Sequence, residues 1–153
     1  MQLVLTPLFA PVIYGFSRPL QSATHAAWQI PLCTAVTEAI FSPLHLLMHR
    51  SRWLYRHVHA LHHSRKPYIG MCALYATGAE HLLLNMLPPV VAILVARCNT
   101  LVACAWVAAA TCNTVWVHSG DGRHRVHHID PSLNYGVALN LLDKHVTHTF
   151  RDS

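Results

Sequence analysis

From Ala26 to Met48 the chain carries one carboxylate, Glu38, and no lysine or arginine. About 20 apolar residues cross the hydrocarbon core of a bilayer as a helix, with every backbone polar group satisfied inside the segment. That stretch directs the chain towards an all-α, integral membrane bundle. Composition agrees, with 53% hydrophobic and 11% charged residues, where a soluble domain carries roughly 25% charged. Three further stretches are apolar: Leu3 to Phe16, which contains Pro7 and Pro11, then Leu82 to Ala96 and Leu101 to Val117. The last two are short, so tilting, a kink at Pro88-Pro89 or a shallow hairpin is expected of them. About four apolar helices in one domain over residues 1–153 is the expectation, with no internal repeat and no low-complexity linker.

The basic residues set an orientation. Arg50, Arg52, Arg56, Arg65 and Lys66 follow the second stretch, and Arg123, Arg125, Lys144 and Arg151 follow the fourth. Only Arg18 and Arg97 lie in the opposite connections. If all four stretches cross, the basic side is cytosolic. No lysine or arginine precedes Arg18, so the start lacks the basic segment of a secretory signal peptide. The five cysteines, Cys33, Cys72, Cys98, Cys104 and Cys112, form no C-x-x-C pair; they read as reduced structural thiols. No nucleic-acid-binding motif is present, and a transporter would need polar groups along the membrane path that Leu101 to Val117 does not offer.

Fourteen histidines outnumber the 11 lysines and arginines. Three clusters stand on the basic side: His45-Leu-Leu-Met-His49, His59-Ala-Leu-His62-His63 and His124-Arg-Val-His127-His128, with His118 at the end of the fourth stretch. Spacings of three and four residues place side chains one helical turn apart on one face. The members of each cluster can therefore reach one ion together. Nine imidazoles exceed the needs of a single metal, and two metals with four or five donors each keep positions open for oxygen. Imidazole alone does not choose among iron, zinc, copper and nickel. His25, His57, His145 and His148 lack the repeated spacing and read as interfacial or supporting residues, and His81 is open between roles. Glu38, two turns before His45, is expected to hydrogen-bond a ligand histidine, because a charge inside a membrane stretch is costly unless paired. Glu80 and Asp143 are candidates for the same task or for solvated helix ends.

The order H-x-x-x-H, H-x-x-H-H, H-x-x-H-H resembles the fatty acid hydroxylase superfamily, which includes sterol desaturases, C4-methyl sterol oxidases and cholesterol 25-hydroxylases. Trp53-Leu-Tyr-Arg56, Tyr75-Ala76 followed by Glu80, His118-Ser-Gly120, Asn134-Tyr-Gly136 and Asp143-Lys144 are similar to family landmarks, so the resemblance covers about residues 38–150. From His45 to His63 the chain is most similar to the cholesterol 25-hydroxylases. It departs from the family at Thr77-Gly78, where many members have His-Pro. It departs again in the short connection from Gly120 to His124 and around Val146-Thr-His-Thr149.

The resemblance implies a four-helix anchor in the endoplasmic reticulum membrane with a cytosolic histidine cap. It implies two iron ions that activate O2, and electrons from NADPH or NADH through a cytochrome b5-type donor. The implied ligands are His45, His49, His59, His62, His63, His118, His124, His127 and His128. The implied reaction is hydroxylation, oxidation or desaturation of a sterol or fatty acyl C–H bond. The substrate would arrive from the bilayer, with residues 68–75 and 137–142 as candidates to line its path. The short connection before His124 leaves open a metal-binding homologue with impaired catalysis and a regulatory or structural role.

Overall fold

The computed structural model describes residues 22–64, 69–119 and 123–152. The first apolar stretch, Arg18, Arg65, Lys66, Tyr68 and Gly120 lie outside the described residues, so the expectations placed on them are not followed further. Among the described residues every regular element is helical.

Helix α1 runs Ala23–Arg50, about 42 Å at 1.5 Å per residue. It ends where Ser51 turns extended. The Ser51 hydroxyl accepts from Leu54 N at 3.3 Å and so starts the next helix. That helix, α2, covers residues 52–63 as Arg52–Leu54, a π turn at Tyr55–His59, and Ala60–His63. A 3-10 turn follows at Gly70–Leu74.

Helix α3 covers residues 78–96 as Gly78–Glu80, a π turn at His81–Met86, and Leu87–Ala96. Pro88 and Pro89 have no N–H to return to the preceding turn, and the wide π turn before them absorbs the missing bonds. Helix α3 gains length by starting at Gly78, where Thr77 caps it by accepting from Glu80 N at 3.2 Å. Arg97 is left-handed at φ 53° and ends α3. Asn99 Oδ1 accepts from Val102 N at 3.0 Å and starts α4, Thr100–Val117. Two short helices complete the chain: α5, Arg123–Ile129, and α6, Leu141–His145.

Helices α1, α3 and α4 are long and apolar enough to cross a membrane. Their outer faces carry Leu94, Val95, Leu101, Val107 and Trp116, all exposed, as a lipid-facing surface requires. Helix α1 is antiparallel to α3: Gln29, near the start of α1, donates to Ala96 O at 3.1 Å near the end of α3. Cys33, Ala92, Ile93, Ala96, Cys98, Val102, Ala103 and Trp106 pack at that end. There the Cys33 and Cys98 thiols touch at 3.6 Å. Phe41, Met48, Val58 and Leu84 pack at the other. The C-termini of α1 and α4 and the N-terminus of α3 thus share one end of the bundle, and α2, α5 and α6 gather there.

Glu38 takes a different partner from the one expected. Its Oε1 accepts from Ser42 Oγ at 3.0 Å and its Oε2 from Ala138 N at 3.1 Å. Seven helical residues separate Glu38 from His45 by about 10 Å along the axis, so the carboxylate meets the turn before α6 instead of an imidazole. Gly136 sits against that carboxylate, and a Cβ there would overlap Glu38 Oε1 and crowd Asn140. Gly136→Ala is expected to destabilise the protein by about 1–3 kcal/mol, read as a lower melting temperature in detergent.

Candidate metal centre

All nine histidines singled out in the sequence converge at the cap end. Helix α1 supplies His45 and His49, α2 supplies His59, His62 and His63, the end of α4 supplies His118, and α5 supplies His124, His127 and His128. They form two groups. His45, His49, His59, His63 and His127 make one, and His62, His118, His124 and His128 the other; within each, the donor atoms lie within 4.8 Å of one another. The groups abut, with the His63 and His128 rings stacked at 4.5 Å.

The expectation that the members of each cluster reach one ion together is corrected here. In both H-x-x-H-H clusters the middle histidine parts from the outer two: His62 leaves His59 and His63, and His127 leaves His124 and His128. Residues three and four along a helix differ by about 100° in direction. A helix lying between two ion positions therefore sends one neighbour to each.

Ring orientation is set from behind. His45 Nδ1 donates to Tyr135 O at 2.7 Å, His127 Nδ1 to Leu133 O at 2.6 Å, and His118 Nδ1 to Thr114 O at 2.7 Å. His124 Nδ1 lies 3.2 Å from Asn134 O and 3.3 Å from Gly136 O. His59 Nδ1 donates to Glu80 Oε1 at 2.8 Å. A neutral imidazole has one proton, so each Nδ1–H bond leaves a bare lone pair on Nε2.

Those lone pairs point at other imidazole nitrogens. His59 Nε2 lies 3.0 Å from His45 Nε2, 2.9 Å from His49 Nε2 and 3.0 Å from His63 Nε2. His127 Nε2 lies 2.9 Å from His49 Nε2, and His118 Nε2 lies 3.2 Å from His62 Nε2. His45 and His59 have both spent their proton elsewhere, so their contact is repulsive unless a cation stands between them. Two nitrogens about 2.1 Å from one ion at a right angle are about 3.0 Å apart; at the tetrahedral angle they would be about 3.4 Å apart. The five-histidine group therefore fits an ion that takes more than four donors, and the donor chemistry suits a transition metal.

Burial keeps the cap imidazoles neutral. It lowers His63 to about 3 and His118 to about 4, and for His63 the neighbouring His49 and His118 add repulsion. His59, His62, His124, His127 and His128 are all pushed down, chiefly by burial and then by adjacent imidazoles. Neutral rings at pH 7 are the form that binds a metal.

A backbone feature with no counterpart in the sequence reading organises the centre. The carbonyls of residues 133–136 receive His45, His124 and His127 from two helices. Asp143, fully buried in α6, holds that turn: its Oδ1 accepts from Tyr135 N at 2.9 Å and Thr149 Oγ1 at 2.7 Å, and its Oδ2 from Gly136 N at 2.8 Å. Asn134 Nδ2 ties the turn to Arg123 O and Arg151 O at 3.0 and 2.7 Å. Glu80 thus orients a histidine directly and Asp143 does so through the backbone. Thr77, which stands at the departure from His-Pro, also donates to Val58 O at 2.8 Å and so links α3 to α2.

The other histidines stay outside both groups. His25 and His57 are exposed and bond to Ser22 Oγ and Trp53 O, and His145 and His148 are exposed. His81 uses both nitrogens, one with Leu74 O at 3.1 Å and one with Asn85 Nδ2 at 2.8 Å.

The family model for fatty acid hydroxylases matches residues 30–148. The chain is 32% identical over 123 residues to fatty acid hydroxylase domain-containing protein 2 of Macaca fascicularis and equally so to that of Homo sapiens; each alignment covers 75% of this chain and 36% of the relative. It is 28% identical over 120 residues to methylsterol monooxygenase 2-2 of Arabidopsis thaliana, covering 78% of this chain and 44% of that protein. The chain thus spans less than half the length of these relatives. No solved structure matches. All nine converging histidines fall inside the matched segment, and the chain belongs to the fatty acid hydroxylase family.

Proposed function

We propose that this chain is an O2-dependent, non-haem di-iron oxidoreductase that hydroxylates, or else oxidises or desaturates, a C–H bond of a membrane sterol or fatty acyl lipid. The observation that carries the reading is the pair of abutting, all-nitrogen, buried groups at the end of a lipid-facing bundle. The methylsterol monooxygenase relative supports a sterol. His45, His49, His59, His63 and His127 are the ligands of one ion, and His62, His118, His124 and His128 those of the other. A bound pair of irons would supply O2 activation, with O2 as the oxidant for C–H cleavage. The chain's own work is positional. Glu80 and the carbonyls of residues 133–136 hold the Nδ1 protons and aim Nε2 inward. Phe41, Ala73 and Leu84 form the apolar wall of a space of about 20 Å³ beside the histidines.

The single domain over residues 1–153 sits in the endoplasmic reticulum membrane with the cap in the cytosol, as the basic residues favour. Exposed Arg50, Arg52, Arg56 and Arg123 around the cap suit an acidic, cytochrome b5-type partner that passes electrons from NAD(P)H. Metal analysis of the purified protein is expected to give two irons per chain, and lipid profiling of expressing cells an oxidised sterol or fatty acyl product. His127→Ala is expected to lose both. Iron lost with product unchanged overturns the reading, and two bound metals with no O2 consumed under reductant assign the chain to the impaired, regulatory class.

A further inference from the structure

Two cavities lie in line beneath the cap. The upper, bounded by His45, His59, His62, His118 and His124, belongs to the metal centre. The lower, about 70 Å³, lies among α1, α3 and α4 inside the membrane-spanning part. Phe41, Leu84, Asn85 and Thr114 line both, so the two are neighbours that share a wall. One face of each helix forms the shaft. Thr37, Phe41 and His45 succeed one another four residues apart on α1, and Thr111, Thr114 and His118 rise along α4.

Asn85 stands at the junction. A primary amide inside a bilayer is costly unless its polar atoms are used. Its NH2 is oriented: His81 Nε2 donates to Leu74 O at 3.1 Å, which leaves His81 Nδ1 to accept from Asn85 Nδ2 at 2.8 Å. With the NH2 committed, Oδ1 is the end of the amide left to the two cavities that Asn85 lines. Thr37 adds a second polar group: Thr34, Thr111 and Thr114 return their hydroxyls to the carbonyl four residues back at 2.8–3.0 Å, whereas Thr37 Oγ1 is buried with no partner.

Resting on the lipid-oxidising reading above, we propose that the lower cavity receives the hydroxyl-bearing end of an uncharged lipid, and that Asn85, oriented by His81, accepts the hydrogen bond from that hydroxyl. The size fits an end and not a body, being about half the roughly 150 Å³ that accommodates benzene. The lining holds no lysine or arginine, so a fatty acid carboxylate would be buried without a counter-charge, which is strongly unfavourable. A hydrocarbon tail would leave the amide oxygen unpaired. A neutral alcohol satisfies both conditions, and the recognised hydroxyl then sits a few bonds from the carbon presented to the histidine centre. Asn85 is a specificity-determining residue, and His81 positions it.

The test is competitive binding to the full chain in phosphatidylcholine nanodiscs, without O2 or reductant. Cholesterol is compared with cholest-5-ene, its 3-deoxy analogue, and 1-octadecanol with octadecane; the two pairs separate a sterol from a chain alcohol. The wild type is expected to prefer the alcohol of at least one pair about tenfold, the range of a hydrogen bond to a buried group. Asn85→Leu is expected to remove that preference while keeping its metal, and His81→Leu to reduce it. Equal binding of alcohol and deoxy analogue by the wild type, tightest binding of stearate, or a preference unchanged in metal-retaining Asn85→Leu each overturns the proposal. A chain that keeps the preference but oxidises no lipid loses only the proposed function. One that oxidises a lipid without the preference loses only this inference.

Discussion

His59→Ala is expected to leave the protein with at most one metal per chain and a markedly lower melting temperature. His59 Nε2 is the hub of the five-histidine group, with three imidazole nitrogens within 3.0 Å. Removing it takes away the donor around which the others are arranged. The second cost falls on Glu80, which is 3% exposed. Its Oε1 is held by His59, and its Oε2 has no side-chain or backbone partner among the described residues. Removing His59 leaves this buried carboxyl group without its hydrogen-bond partner, at a cost of about 1–3 kcal/mol. Adding Glu80→Ala to His59→Ala should therefore recover part of the lost melting temperature without recovering the metal. Metal content by elemental analysis and melting in detergent separate the two effects. A His59→Ala protein that still holds two ions would show that the hub is not a ligand.

Asp143→Ala is expected to do comparable damage from a position that touches no metal donor. Its carboxylate receives the backbone N–H groups of Tyr135 and Gly136. At about 1.5–3 kcal/mol for each bond to a charged acceptor, the two are worth roughly 3–6 kcal/mol. Once they are lost, the turn at residues 133–136 no longer presents its carbonyls to His45, His124 and His127, which belong to different groups. Both ions should be retained less well, whereas a purely local defect near α6 would spare them. Asp143→Asn keeps the shape and one acceptor and should fall between. Unchanged metal content in Asp143→Ala would mean that the turn is held by other bonds.

The histidines were legible because spacing is a property of the chain: i, i+3 and i+4 repeats on helices that end at one face already bring the rings together. How the rings divide was not legible. It depends on α2 and α5 lying between two ion positions, and a crossing arrangement of helices leaves no trace in the spacing within either helix. The carbonyl turn was hidden for a different reason, since any residue supplies a C=O; only Asn134-Tyr-Gly136 and Asp143 marked the place. Glu38 shares a helix face with His45, but a shared face is not contact: its carboxylate bonds Ser42 and Ala138 N. His81 and Asn85 are spaced four apart like a ligand pair, yet they bond each other. The first apolar stretch stands outside the described residues, so three of the four expected spanning helices are seen.

The division of each paired-histidine cluster between the two groups bears on how such a scaffold can decay. Neither α2 nor α5 can be lost to give a protein with one intact ion position, because each serves both. Drift towards a mononuclear descendant would have to proceed by point replacement, ring by ring; an indel in either helix extinguishes the pair at a stroke.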